Sequence, residues 1–141
     1  MISKGKWYRE LFDRATIALE QKFFLEATWI VYSIIDDRIK SALKNLSIPL
    51  NYKDMLGSNL QKLYNCTSPE LKQAGFDNVF YDRIKNWIDK RNKLMHDLGD
   101  EQSLRTDYES QIEQIASEGL VLAKDVSSFV MRLKIRLDKK S

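Results

Sequence analysis

Hydrophobic positions recur along this chain at spacings of three and four residues, the period of amphipathic helices. Residues 6–21 predict a first helix, with Trp7, Leu11, Ala15 and Ala18 in register and Tyr8, Phe12 and Leu19 beside them. Residues 23–46 predict a longer second helix whose apolar stripe is Ala27, Val31, Ile34, Ile35, Ile39, Ala42 and Leu46. Asp36, Lys40 and Lys44 form an i, i+4 charge ladder on another of its faces. Pro49 ends this element, because proline lacks an N–H and disfavours helix at the residue before it. Residues 50–77 are irregular. Ser58-Asn59-Leu60-Gln61 reads as a capping box opening a short helix through Leu63 and Tyr64. Ser68-Pro69 is a second helix start, and Gly75 closes that turn.

A third long helix is predicted from about Asn78 to Leu98, with Asp77 as N-cap and Gly99 just past its end. Its buried face is Phe80, Ile84, Trp87, Ile88, Met95 and Leu98. Asp100 or Ser103 then caps a fourth helix running to about Leu137, on a near-heptad series that includes Leu104, Tyr108, Ile112, Leu122, Phe129 and Leu133. Unbroken, that helix would be about 50 Å long at 1.5 Å per residue. Gly119 is the point at which a bend or interruption is expected.

Composition supports the pattern. Five Gly and two Pro are too few for the many turns of an all-β sandwich or barrel. The expectation is a single all-α domain over residues 1–141, an up-down bundle of four main helices plus one or two short ones. The three Trp and most of the Tyr and Phe are expected in its core. With 43% hydrophobic and 30% charged residues the chain is globular and not disordered. No apolar run approaches the roughly 18–20 residues of a membrane helix, and no signal peptide follows the N-terminus. Cytoplasm is the expected compartment, and it suits a single unpaired thiol.

The chain has one Cys (Cys66) and one His (His96). Neither an intrachain disulfide, nor a cysteine-rich zinc cluster, nor a multi-histidine metal site can be built from them. Cys66 has no base near it in sequence. Gly-rich phosphate loops, the G-x-S-x-G elbow and H-E-x-x-H are all missing. Net charge is only +3, but Arg132, Lys134, Arg136, Lys139 and Lys140 crowd the last eleven residues against one acid, Asp138. A solvated helix end complementing the macrodipole and a phosphate-attracting patch both fit that run.

One constellation carries chemistry. In the third helix the apolar register Ile84, Ile88, Arg91, Met95, Leu98 places an arginine where a hydrophobe belongs. A guanidinium is rarely buried unless it is paired or holds an anion. The only histidine lies five residues later. Two readings of each residue stand side by side. Arg91 either binds phosphate or pairs with a carboxylate such as Asp36 or Asp37. His96 is either a site residue or a surface residue at a helix end; Asn92, Lys90 and Lys93 either contact substrate or are solvated.

Arg91-Asn92-x-x-x-His96 resembles the R-x4–6-H motif, with a polar residue after the Arg, of the HEPN superfamily. The surroundings are similar too: a helical pair with Asp36 and Asp37 on its second member, the motif late in the next long helix, and another long helix after it. The resemblance implies a four- to five-helix bundle acting as a metal-independent endoribonuclease, without cofactor, of the toxin–antitoxin or phage-defence kind. RNA would supply its 2′-hydroxyl as nucleophile and be left with a 2′,3′-cyclic phosphate. His96 would act as general acid or base, since an ordinary imidazole titrates near pH 6.5. Arg91 would fork onto the phosphoryl oxygens, and Asn92 would position the phosphate or orient His96. Lys90 and Lys93 are the weaker RNA-contact candidates. Five residues leave Arg91 and His96 about 140° apart around an ideal helix. Either the helix frays or bends before His96, or the site is shared; the resemblance implies a homodimer with a composite site. It also implies an antitoxin or nucleotidyltransferase partner. Members modified by a nucleotidyltransferase carry Tyr two residues after the His, and here that position is Leu98. A non-catalytic RNA-binding or protein-interaction module of the same fold is the alternative, and an unrelated helical scaffold is a third.

Overall fold

The computed structural model describes residues 3–51, 53–99 and 108–140. Among them are six helices and no strand: α1 (Lys4–Glu20), α2 (Phe24–Asn45), α3 (Leu56–Asn65), α4 (Pro69–Gln73), α5 (Asn78–Asp97) and α6 (Tyr108–Lys140). The all-α class, with four main helices and two short ones, is the one the periodicity predicts. None of the helices is long and apolar enough to cross a membrane, among the described residues.

Local chemistry explains the boundaries. Ser3 caps α1, its hydroxyl accepting the Lys6 N–H. Asp77 caps α5 as expected, its Oδ1 accepting the Phe80 N–H at 2.8 Å. Three helices close by reversing into the left-handed region: after α1 at Lys22 (φ 62°), after α2 at Ser47 (φ 59°) and after α4 at Gly75 (φ 105°). In each case the next N–H reaches back five residues: Phe23 to Ala18, Ile48 to Leu43 and Phe76 to Leu71. These are Schellman closures, and only one of the three uses glycine. The α2 helix therefore ends by its own geometry before Pro49 is reached.

Several expectations are corrected. The short helix opens at Leu56 with Met55 as N-cap, so Ser58 lies inside α3 and makes no capping box. Gln61 instead donates to Asn65 and accepts the Tyr81 hydroxyl. The α6 helix runs unbroken through Gly119 and past Leu137 to Lys140; its expected caps, Asp100 and Ser103, lie outside the described residues. Two of the three tryptophans are not core residues, Trp7 being 43% and Trp29 67% exposed. Trp7 shares the register of Ala15 and Ala18 but stands in the exposed first turn of α1, whereas Trp29 projects from the side of α2 opposite Ala27 and Val31.

The chain packs as two compact units, Met1–Ile34 with Trp87–Ala123, and Ile35–Asn86 with Lys124–Ser141. In the first, Ala27, Val31, Ile34, Trp87, Ile88, Leu94, Ala116 and Leu122 are buried. The Trp87 indole N–H donates to the Ile115 carbonyl at 2.9 Å, which satisfies the one polar atom of a ring that is 3% exposed. Gly119 admits that ring: a Cβ there would stand 2.6 Å from Trp87 Cζ2 and 2.8 Å from Val31 Cγ1. Close approach, not a bend, is what this glycine provides.

In the second unit, Ile39, Leu43, Leu56, Leu60, Leu63, Ile84 and Leu133 are buried around an aromatic cluster. Phe129 stacks on Phe76 at 5.4 Å between centroids and meets the edge of Phe80 at 5.8 Å. The basic C-terminal run has a structural task here. Arg132 Nε donates to the Ala74 carbonyl at 2.9 Å, Arg136 reaches Gln73 at 3.4 Å and Lys140 pairs with Glu70 at 3.1 Å. Three cations at i, i+4 and i+8 thus seam the end of α6 to α4.

Candidate functional site

The motif helix α5 is regular α-helix to Asp97. It neither frays nor bends before His96, so the angular separation of Arg91 and His96 stands. Trp87, Leu94 and Ile88 mark its buried side, and Arg91 lies on that side, half-buried. The Arg91 guanidinium lies over the Tyr32 ring of α2, with Cζ 3.9 Å from the ring centroid. Tyr32 in turn lies against Trp87, 6.4 Å between centroids. A guanidinium is weakly hydrated and planar, so stacking on an aromatic face is a favourable way to hold it partly out of water.

The hydrogen bonding of Arg91 is sparse. Its Nη1 donates to Asn92 Oδ1 at 3.1 Å, and its Nε is buried without a partner. Among the described residues no carboxylate pairs with it. Asp36, one of the two carboxylates expected for it, takes Lys40 at 3.0 Å, the predicted rung of the α2 ladder. A stacked guanidinium with no carboxylate keeps donors for an anion.

His96 is exposed, as is Asn92 one turn before it. They share the outward stripe of α5, away from Trp87 and Arg91. His96 has no hydrogen bond or ion pair among the described residues. Within one chain, then, the structure joins Arg91 to Asn92 and to Tyr32 but does not bring Arg91 and His96 to one point.

Lys90 and Lys93 lie on a third side. With Leu94, Asp97, Gln111 and Gln114 they line a cavity of about 210 Å³ that touches neither Arg91 nor His96. Both cations have loose partners, Lys90 with Glu118 at 3.8 Å and Lys93 with Asp97 at 3.7 Å. Tyr108, at the start of α6, has a buried hydroxyl without a partner. Burial, and then the charge of Asp97, push its phenol pKa up.

Sequence reasoning missed Tyr32 as a site residue. It stands in an aromatic-rich stretch of α2 with nothing local to mark it, because the stack on Arg91 is a tertiary contact. Among the described residues no three His, Cys, Asp or Glu side chains gather in a way that could hold a metal ion. Set against models of known protein families, curated proteins and solved structures, the chain has no significant match to any of them.

Proposed function

We propose that this chain is a HEPN-like, metal-independent endoribonuclease that works as a homodimer, an effector of the toxin or phage-defence kind acting in the cytoplasm. The observation that supports this reading is Arg91: a guanidinium in an apolar register, held over the Tyr32 ring, with no carboxylate paired to it among the described residues. A cation placed so is suited to a phosphoryl group that gains charge as it reacts.

The chemistry needs little else from the protein. The 2′-oxygen of the RNA attacks phosphorus while the bond to the 5′-oxygen breaks. One imidazole takes the 2′ proton and a second, protonated imidazole gives one to the departing 5′-oxygen. Each chain has one histidine. Two copies of His96, each on an exposed helix face, would supply both roles at a two-fold interface. Asn92, bonded to Arg91 Nη1, would set the guanidinium's orientation.

The test is incubation of the purified chain with single-stranded RNA in EDTA. Cleavage is expected, with 2′,3′-cyclic phosphate ends, and His96→Ala is expected to abolish it. Arg91→Ala should lower the rate by about 10²–10³, the usual effect of removing one transition-state donor. An intact, folded dimer that cuts no RNA overturns the proposal.

The second reading, a non-catalytic RNA-binding or protein-interaction module, is favoured by the opposed placement of Arg91 and His96 on α5. It predicts binding of RNA or partner that survives His96→Ala unchanged, with no cleavage by the parent chain.

A further inference from the structure

The second unit contains a larger cavity, of about 720 Å³ and partly open to solvent, bounded by the end of α3, the segment that follows it, α4 and the first residues of α5. None of the motif residues lines it. Its volume lies in the range of small-molecule sites.

Three features of its wall restrict what it can hold. The first is a prepared aromatic surface. Tyr64 lines the cavity and is 44% exposed, and its ring is backed by Tyr81 at 4.2 Å between centroids. Tyr81 is fixed in turn by its hydroxyl, which donates to Gln61 Oε1 at 3.0 Å. A ring braced from behind can take a second planar group without losing much freedom.

The second feature is a set of uncommitted polar groups. The Thr67 hydroxyl and the Asn78 amide have no side-chain partner among the described residues, and Asn65 uses only its oxygen, accepting from Gln61. Amides and hydroxyls of this kind bond the edges of a base. The third feature is charge. Lys72 lines the cavity with no ion-pair partner among the described residues. The one carboxylate on the wall, Asp77, is turned to the start of α5, where it caps the Phe80 N–H.

A braced ring, free amides and hydroxyls, and one unpaired cation with no free anion describe a planar, hydrogen-bonding, anionic ligand. We infer that this cavity is a nucleotide site, in which an unpaired base stacks on Tyr64 and its phosphate meets Lys72. The source that suits the proposed function is a nucleotide of single-stranded RNA, held away from the cleavage motif. For the polymer this rests on the ribonuclease reading; for the nucleotide it rests on the cavity alone.

The test uses the full chain carrying His96→Ala, so that binding is read without cleavage. Fluorescence anisotropy with a labelled eight-nucleotide single-stranded RNA is the first arm, and calorimetric titration of a nucleoside monophosphate the second. Tyr64→Leu keeps apolar bulk against Tyr81 but offers no ring face, and is expected to raise Kd about tenfold, the usual loss on removing one base stack. Tyr64→Phe should bind within twofold of the parent. Lys72→Gln should weaken binding and reduce the slope of log K against log salt by about 0.7, one phosphate contact on a single strand. Loss in the RNA arm supports a polymer source, and loss confined to the mononucleotide arm supports a free nucleotide and overturns the RNA assignment. Folded Tyr64→Leu and Lys72→Gln variants that bind both probes as tightly as the parent, or a parent that binds neither, overturn the site. The two proposals fail separately. Tyr64-dependent binding without any cleavage in EDTA removes the nuclease and leaves the nucleotide site. Cleavage lost with His96→Ala, beside binding indifferent to Tyr64 and Lys72, does the reverse.

Discussion

Gly119 occupies the interior of α6, where alanine ordinarily favours the helix by about 1 kcal/mol over glycine. Here the sign reverses. The Cβ of Gly119→Ala would meet two aromatic carbons of Trp87 below 3.0 Å, and the Trp87 ring is anchored by its bond to the Ile115 carbonyl. Overpacking of this kind costs about 1–3 kcal/mol, which outweighs the helix gain. Urea unfolding should show Gly119→Ala less stable than the parent, and a more stable variant would contradict the packing argument. The sequence pattern pointed to this residue but to the wrong property. Spacing reports that a glycine interrupts a stripe; it carries no information on which ring fills the space. Arg91 divides the same way. Its intrusion into an apolar register was legible from Ile84, Ile88 and Met95, whereas the Tyr32 face beneath it joins residues 59 positions apart in sequence (91 − 32).

The element scale is best seen in the seam between α4 and the end of α6. The Glu70 carboxyl is held down to about 2 by the Ser68 hydroxyl, by its own backbone N–H and by Lys140. Its folded value lies below the ordinary 4.5, so the carboxylate contributes stability that is complete above about pH 4.5 and is lost as pH falls toward about 2. Glu70→Gln should therefore melt at a lower temperature than the parent at pH 6, and the gap should close as pH approaches 2. Thermal unfolding followed by circular dichroism at several pH values checks this, and a gap that widens in acid would refute it. The sequence showed the cations of this seam but not their task. Arg132, Arg136 and Lys140 share a helix face by spacing alone, yet nothing local says that α4 lies under that face. The caps were easier, because a cap is a short-range bond. Asp77 was legible for that reason, and the start at Ser68-Pro69 was legible from proline at the first helical position, since the Ser68 hydroxyl makes no cap bond and donates to Glu70 instead. The apparent capping box at Ser58 failed because Leu56, fully buried, draws the helix start three residues earlier than the polar pattern suggests.

At the scale of the whole molecule, the proposed chemistry depends on a second chain. The imidazole and the guanidinium of one α5 face different ways, so a lone protomer lacks a complete site. Cleavage per chain is then expected to fall on dilution below the dimer's dissociation constant, while a site within one chain would keep its specific activity. Measuring rate against protein concentration, alongside analytical ultracentrifugation, separates the two. Helix class and helix number were legible from periodicity, since α-helices are specified by local spacing. A pairing of chains would leave no such trace.

The unequal burial of the three tryptophans has an optical consequence. Trp7 and Trp29 stand open to water, while Trp87 is enclosed beside Tyr32, the ring that carries Arg91. An aqueous quencher such as acrylamide should extinguish the red-shifted emission of the first two and spare a blue-shifted remainder. A chain with Trp7→Phe and Trp29→Phe would then carry a single tryptophan, selectively excited at its red edge, next to the Arg91 stack, a built-in reporter for any anion that engages it.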